Sequence, residues 1–226
     1  MPHASLRHPA LAILLMAAAA PPAQAAGGHF DVDDATVVDP EHCQIETWWL
    51  RSPSESAHAL HLGGACRAGP VEAGLNIDRS HIDGGTQTAI GPQIKWVADP
   101  LFQRLSAGIV WALSIDTKGD HGPAHTVYLP LTLWSGESVQ LHLNGGIDWT
   151  AGERSTRRWG AAAEWAANDK VSVILEHSLI AGVQTSRLGS RFNLTPSLSL
   201  DLSIAHRSSA GSPGYAVGLN RDFDMH

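Results

Sequence analysis

A histidine and a serine near the C-terminus have the spacing of a nucleophilic pair. His206 and Ser208 are separated by one residue, and a histidine within hydrogen-bond reach of a serine hydroxyl can activate that hydroxyl as a nucleophile. Such a pair also requires an acidic group that orients the imidazole ring. The stretch 208–215 contains neither Asp nor Glu. We therefore predict that the protein is not an enzyme, and His206 with Ser208 stand as the catalytic alternative.

Charged side chains at alternate positions of amphipathic segments form a second candidate site. They are Lys95, His142, Asp148, Arg158, Glu164, Glu176, Arg187 and Arg191. If the segments are strands of a barrel, these side chains face its lumen, where an unpaired buried charge is costly. Two outcomes stay open. The charges pair with one another and fill the lumen, or Lys95, Arg187 and Arg191 face Glu164 and Glu176 across the constriction of a pore.

The remaining histidines and the two cysteines do not have the spacing of a metal site. His58, His61, His81, His121 and His125 lie in or beside the first predicted outer loops, and imidazoles that meet in space could bind zinc or copper. Their linear spacing gives no metal motif, and the two cysteines lack the C-x-x-C spacing. We therefore predict no metal and no cofactor. Cys43 and Cys66 are the only cysteines, and in an exported protein such a pair most simply forms one disulfide.

The N-terminus has the features of an export signal. Arg7 and His8 precede an apolar run over 10–20, and Ala23-Gln24-Ala25 supplies small residues at the cleavage spacing. We predict a signal peptide over residues 1–26. The acidic stretch that follows, residues 27–42, has no period and is predicted to be a periplasmic segment. A net charge of -7 argues against nucleic-acid binding.

The rest of the chain, residues 43–226, alternates apolar and polar residues in the way of β-strands. In one example, Leu141, Leu143 and Ile147 share one parity, while His142 and Asp148 share the other. Twelve segments behave similarly: 43–50, 57–66, 71–78, 88–97, 104–116, 125–134, 138–149, 157–166, 170–179, 185–194, 198–206 and 215–223. No helical pattern lies between them. We predict an all-β fold, an antiparallel up-and-down transmembrane β-barrel of about twelve strands.

The connections between the predicted strands support a barrel over a sandwich. Tight turns such as 67–70, 135–137 and 195–197 alternate with longer polar loops such as 79–87, 117–124, 180–184 and 207–214. Outer-membrane barrels have short periplasmic turns and longer outer loops. A soluble exported β-sandwich that binds a ligand stays as an alternative, because its strands also alternate.

Several segments resemble the family of outer-membrane barrels named for the meta pathway of phenol degradation. They are residues 71–80, 89–100, 141–149, 158–178 and 199–223, and Lys95, Glu164 and Glu176 match polar positions of that family. Its members are regarded as channels or transporters. The resemblance therefore implies an outer-membrane location and passage of a small solute, with no catalytic residues.

Two further resemblances concern the end of the chain. Tyr215, Val217, Leu219 and Phe223 are similar to the signal read by the barrel-assembly machinery. The His206-x-Ser208 pair resembles the motif of outer-membrane lipid A deacylases, although Ser209 stands where that family has Asn. The combined prediction is an outer-membrane channel or structural barrel whose partners are membrane lipids, the assembly machinery and a small solute. A lipid-modifying barrel enzyme is the alternative.

Overall fold

The computed structural model describes residues 29–82, 84–98, 104–119 and 121–225. The predicted signal peptide lies outside the described residues. The strands are β1 (His42–Ser52), β2 (Ala57–Ala68), β3 (Val71–Ile82), β4 (Gly85–Val97), β5 (Leu105–Asp116), β6 (Ala124–Trp134), β7 (Val139–Thr150), β8 (Thr156–Asn168), β9 (Val171–Ile180), β10 (Val183–Thr195), β11 (Leu198–Arg207) and β12 (Gly214–Asp224). A 3-10 turn, Pro53–Glu55, joins β1 to β2. No helix in the described ranges has the length and apolar character that a membrane span requires.

The twelve strands form one closed antiparallel sheet. Each strand pairs with its neighbours in the chain, and β1 closes the barrel by pairing with β12, from His42 opposite Asp224 to Arg51 opposite Tyr215. The predicted barrel of about twelve strands is therefore confirmed. The sandwich alternative is wrong, because a single sheet closes on itself and leaves no edge strand.

The two faces of the barrel have the predicted character. Leu141 and Leu143 of β7 point outward and are 40% and 54% exposed, whereas His142 and Asn144 between them are buried inside. The same alternation continues around the sheet, with apolar side chains outside and polar side chains inside. An apolar outer band suits contact with lipid, where the backbone is satisfied by the closed ladder.

Two connections are shorter than predicted. The β9–β10 connection, predicted as a loop over 180–184, is a two-residue turn whose residues Ala181 and Gly182 both have positive φ, at 50° and 80°. Paired positive φ values are typical of tight hairpins. The β3–β4 connection is equally short, whereas the β4–β5 connection on the opposite side is longer. The strands therefore extend further than their apolar patterns indicate.

The barrel has two distinct ends. We call the end where β1 begins and β12 finishes the terminal end. The opposite end, which carries the connections β5–β6, β7–β8 and β11–β12, is the loop end. At the terminal end Cys43 and Cys66 lie opposite each other on β1 and β2 and form a disulfide with a Cα–Cα distance of 4.0 Å. The predicted disulfide is therefore confirmed, and both cysteines lie on the outward face.

Candidate functional site: a lumen occupied by the N-terminal segment

Residues 29–38, which we call the plug segment, lie inside the barrel. The chain turns at Asp39 to His42, where the His42 amide donates to the Asp39 carbonyl, and then enters β1. Val32, Ala35 and Val38 of the plug segment are among the most buried apolar residues described, at 2%, 1% and 7% exposure. A periplasmic segment over residues 27–42 stays a prediction, and in the structure residues 29–38 of that stretch lie in the lumen.

The backbone of the plug segment is held by side chains of the strands. The amides of Val32, Asp33, Ala35 and Val38 donate to Glu176, Asn144, Thr132 and Glu72, at 2.7 to 2.9 Å. Ser106 donates to the Ala35 carbonyl and Asn144 donates to the Asp33 carbonyl, each at 2.7 Å. Backbone groups buried away from water must find partners. The polar lumen supplies those partners, which explains why an extended segment without secondary structure is stable there.

Carboxylates of the plug segment pair with two cations that the sequence singles out. The Nζ of Lys95 lies 2.9 Å from Asp33 and 3.3 Å from Asp34, and the Tyr128 hydroxyl also donates to Asp33 at 3.0 Å. Asp31 accepts from Ser178 at 2.9 Å, and the guanidinium of Arg187 lies 3.5 Å from it. The acidic residues of the N-terminal stretch therefore balance buried charge inside the barrel.

Three glycines on alternate strands make room for the plug segment. A Cβ built on Gly160 would lie 2.5 Å from Val32, and one on Gly189 would lie 2.7 Å from the Phe30 ring. The corresponding atom on Gly218 would lie 3.1 Å from His29. Contacts this short exclude larger side chains unless the segment moves. The lumen is therefore shaped to the segment on the side of β8, β10 and β12.

The other predicted lumen charges pair within the barrel wall. Arg191 and Asp201 form two parallel hydrogen bonds of 2.8 Å, and both side chains are buried. Arg158 donates to Asp148 at 3.1 Å and lies over the Tyr128 ring. Arg187 contacts Glu176 at 3.4 Å. These are close ion pairs of the kind that offsets the desolvation of buried charge.

The remaining predicted site residues also face inward, but they do not form one ring. His142 contacts the Thr132 hydroxyl at 2.9 Å, and Glu164 lies on β8 opposite Gln140 of β7. Lys95 contacts the plug segment instead of a glutamate. The eight predicted residues thus line the lumen at different heights. Arg187 and Glu176 lie close together, whereas Lys95 and Arg191 contact other partners.

A polar cavity remains beside the plug segment, along β1 to β4. Its volume is about 290 Å³. Its charged lining consists of Asp31, Asp33, Glu46, Glu72, Asp78, Lys95, Arg158 and the ion-pairing His61. Five carboxylates therefore stand against two permanent cations and one histidine. Trp48 and Tyr128 supply the aromatic part of the wall.

The catalytic alternative has no support in the geometry. His206 is on the outward face of β11, where it is exposed, while Ser208 lies just beyond the strand end. The Ser208 hydroxyl accepts a hydrogen bond from the Gln184 amide at 3.1 Å. The predicted nucleophile and its predicted base have the same strand parity, but Ser208 lies beyond the end of β11 and its hydroxyl is bonded to the Gln184 amide. No hydrogen bond between His206 and Ser208 is found among the described residues. Of the five histidines considered for a metal, His61 faces the lumen and His58, His81 and His125 face outward.

Sequence reasoning missed the main occupant of the lumen. The acidic stretch 27–42 is predicted to be a periplasmic segment and gives no indication of the lumen, although it contains the apolar residues Val32 and Val38. A usable signal was present in the strands, because Gly160, Gly189 and Gly218 occupy positions where the alternation predicts inward side chains. Small residues at those positions leave volume for another part of the chain.

Comparisons with known proteins agree with this fold. The chain is similar to the KdgM porin, with a TM-score of 0.67 and 10% identity over 80% of this chain and 99% of that chain. A second structure is the KdgM porin in complex with disordered oligogalacturonate, with a TM-score of 0.66 and 11% identity over the same shares. A third structure is the COG4313 outer membrane channel from Pseudomonas putida F1, with a TM-score of 0.62 and 12% identity over 86% of this chain and 100% of that chain. No curated protein matches the sequence.

The structural neighbours are outer-membrane channel barrels, and at these identities they establish the fold. The name of the meta-pathway family stays a prediction. A family model matches residues 14–218, which is most of the chain, and it identifies the protein as a member of the family described as "Uncharacterised conserved protein UCP029691".

Proposed function

We propose that the protein is an outer-membrane channel for small polar solutes whose lumen is closed by its own plug segment. The observation that carries the proposal is the fit of residues 29–38 inside the barrel. Four of their amides are bonded to side chains of four different strands. A barrel of twelve strands has a narrow bore, so one extended segment is enough to obstruct it.

The plug segment is attached to the wall by contacts that can be broken without unfolding the barrel. None of its described backbone bonds belongs to the strand ladder that closes the sheet. Its charged anchors include Lys95, which is buried and contacts Asp33 and Asp34. Conduction then requires displacement of the segment, or passage of a small solute through the 290 Å³ cavity beside it.

The charge of the cavity indicates which solutes would pass. The KdgM porin was solved with oligogalacturonate, a chain of sugar acids. In the present barrel the cavity is lined by five carboxylates, Asp31, Asp33, Glu46, Glu72 and Asp78, which outnumber the cationic side chains of the same lining. An excess of negative charge in a lumen repels anions. We therefore propose small neutral or cationic solutes for this channel, and a preference for cations over anions.

A charge reversal at Lys95 tests the proposal. Lys95→Glu would place a carboxylate against Asp33 and Asp34, so the plug segment should leave the lumen and single-channel conductance in planar bilayers should rise several-fold. The charge-swapped variant Lys95→Asp with Asp33→Lys restores an ion pair and should return the conductance toward the wild-type value. Equal conductance of all three proteins, each folded by heat-modifiable migration on a gel, would contradict closure by the segment.

A further inference from the structure

The outward face of the barrel carries basic side chains and, within the described strands, no acidic ones. All ten carboxylate residues of the strands are at inward positions: Glu46, Glu72, Asp78, Asp116, Asp148, Glu164, Glu176, Asp201, Asp222 and Asp224. The basic residues at outward positions are Arg51, His58, Arg79, His81, His125, Arg157, His177, His206 and Arg221. The Arg, Lys, His, Asp and Glu residues on the outward face of the described strands are therefore all basic.

These basic residues are concentrated at one end. Arg51, Arg157 and His206 lie within two residues of the ends of their strands at the loop end, and of the nine only Arg221 lies at the terminal end. A charged side chain is costly at the bilayer midplane but nearly free at the interface. The outward basic residues therefore indicate the position of the lipid headgroups along the barrel axis at the loop end.

The densest part of this surface spans β1 to β3, and we call it the basic cluster. In the register of the sheet Arg51 lies opposite His58, and His58 lies opposite His81. The two imidazole rings are stacked with centroids 5.0 Å apart. Arg79 lies on the same face one step lower, opposite Leu60. Four basic side chains of neighbouring strands thus form one continuous patch.

The arginines of the basic cluster are available to an external anion. Both Arg51 and Arg79 are exposed, and no carboxylate of the described residues lies within 4.0 Å of either. Trp49 and Tyr215 pack edge to face beside Arg51, with ring centroids 5.7 Å apart. Tryptophan and tyrosine favour the membrane interface, so the aromatic pair supports the same height for the cluster.

We propose that the basic cluster binds the phosphate groups of a phosphorylated glycolipid in the leaflet at the loop end, with lipid A as the representative chemistry. A guanidinium binds phosphate through two parallel hydrogen bonds. Neighbouring imidazoles can donate further hydrogen bonds. This inference rests on the outer-membrane location, but it does not depend on whether the barrel conducts.

Lipid binding to the folded full-length protein in detergent, measured by native mass spectrometry, tests the inference. Arg51→Gln with Arg79→Gln should weaken binding of bisphosphorylated lipid A about tenfold or more, since each arginine at an anionic surface contributes measurably. Arg221→Gln, which removes the outward arginine of the terminal end, should have little effect. Lipid A with both phosphates removed should bind the wild type as weakly as the intact lipid binds the double variant.

Two results would overturn the inference. One is retention of full affinity by the double variant, after heat-modifiable migration has shown that it is folded. The other is equal binding of intact and dephosphorylated lipid A to the wild type, which would assign the affinity to acyl chains and not to phosphate. A folded variant without residues 29–38 that conducts no better than the wild type, while the wild type binds intact lipid A, would contradict the proposed channel function and leave this inference standing.

Discussion

At the scale of single residues, the lumen charges are satisfied by specific partners. Lys95 contacts two aspartates of the plug segment, and Arg191 forms two hydrogen bonds with Asp201. Inward polarity could be predicted from the alternation of the strands, because parity alone assigns a side chain to a face. The partner of each charge could not be predicted, since it depends on the register of the strands and on a segment whose sequence has no periodic pattern.

The ion pair of Arg191 and Asp201 should be a major contribution to stability. Asp201→Ala removes a carboxylate that also accepts from Asn220 at 2.9 Å, and it takes two charge-assisted hydrogen bonds away from a buried guanidinium. Breaking one side of such a pair costs about 3 to 5 kcal/mol. We expect a clearly lower midpoint in thermal unfolding of the detergent-solubilised barrel.

The double variant Arg191→Met with Asp201→Leu is the matched control, because it removes both charges together. Its midpoint should lie well above that of Asp201→Ala. A single variant as stable as the wild type would contradict the burial of the ion pair that the structure shows.

A glycine substitution should expel the plug segment without altering any charge. In Gly160→Val the new Cβ would lie 2.5 Å from Val32, so the segment must shift. We expect a rise in single-channel conductance. Gly145→Val is the control, because a Cβ at Gly145 has no described neighbour within 4 Å and the residue faces outward. Equal effects of the two substitutions would count against a lumen shaped to the segment.

At the scale of elements, the strands were predictable and the plug segment was not. The alternation at β7 or β11 persists for ten or more residues, which is enough to identify a strand and its faces. Residues 29–38 form no ladder, and their partners come from strands up to 156 positions away, as for Asp31 and Arg187. Turn lengths were also uncertain, because Ala181 adopts a positive φ that its residue type does not indicate.

A carboxylate at the loop end should make one pair of connections sensitive to acid. Glu55 accepts hydrogen bonds from the hydroxyls of Ser52 and Ser209, and Arg207 lies 2.9 Å away. The hydrogen bonds from Ser52 and Ser209, followed by the charge of Arg207, lower the pKa of Glu55 below its usual value of 4.5. The folded loops therefore favour the ionised form.

The sign of the pH effect follows from this depressed pKa. The stabilisation is present above the unfolded pKa, and it is lost as the pH falls through the lower pKa of the folded state. Amide hydrogen exchange at Ser209 and Ser212, corrected for the intrinsic rate, should accelerate below about pH 4. Glu55→Gln should already exchange faster at neutral pH and lack the acid step. A wild type without that step would contradict the role of Glu55.

At the scale of the whole molecule, the closed sheet and the plug segment together define the proposed activity. The sheet gives an apolar exterior and a polar interior, and the N-terminal segment occupies part of that interior and leaves a cavity of about 290 Å³ beside it. The barrel class could be predicted from twelve successive alternating segments. An open or closed lumen could not be predicted, because that property depends on residues outside the barrel wall.

Single-channel conductance of the wild type and of a variant lacking residues 29–38 tests closure by the plug segment most directly. We expect small, cation-preferring currents or none from the wild type. The variant, if it shows heat-modifiable migration, should give stable currents several-fold larger with the same cation preference. Equal conductance of the two folded proteins would contradict the account.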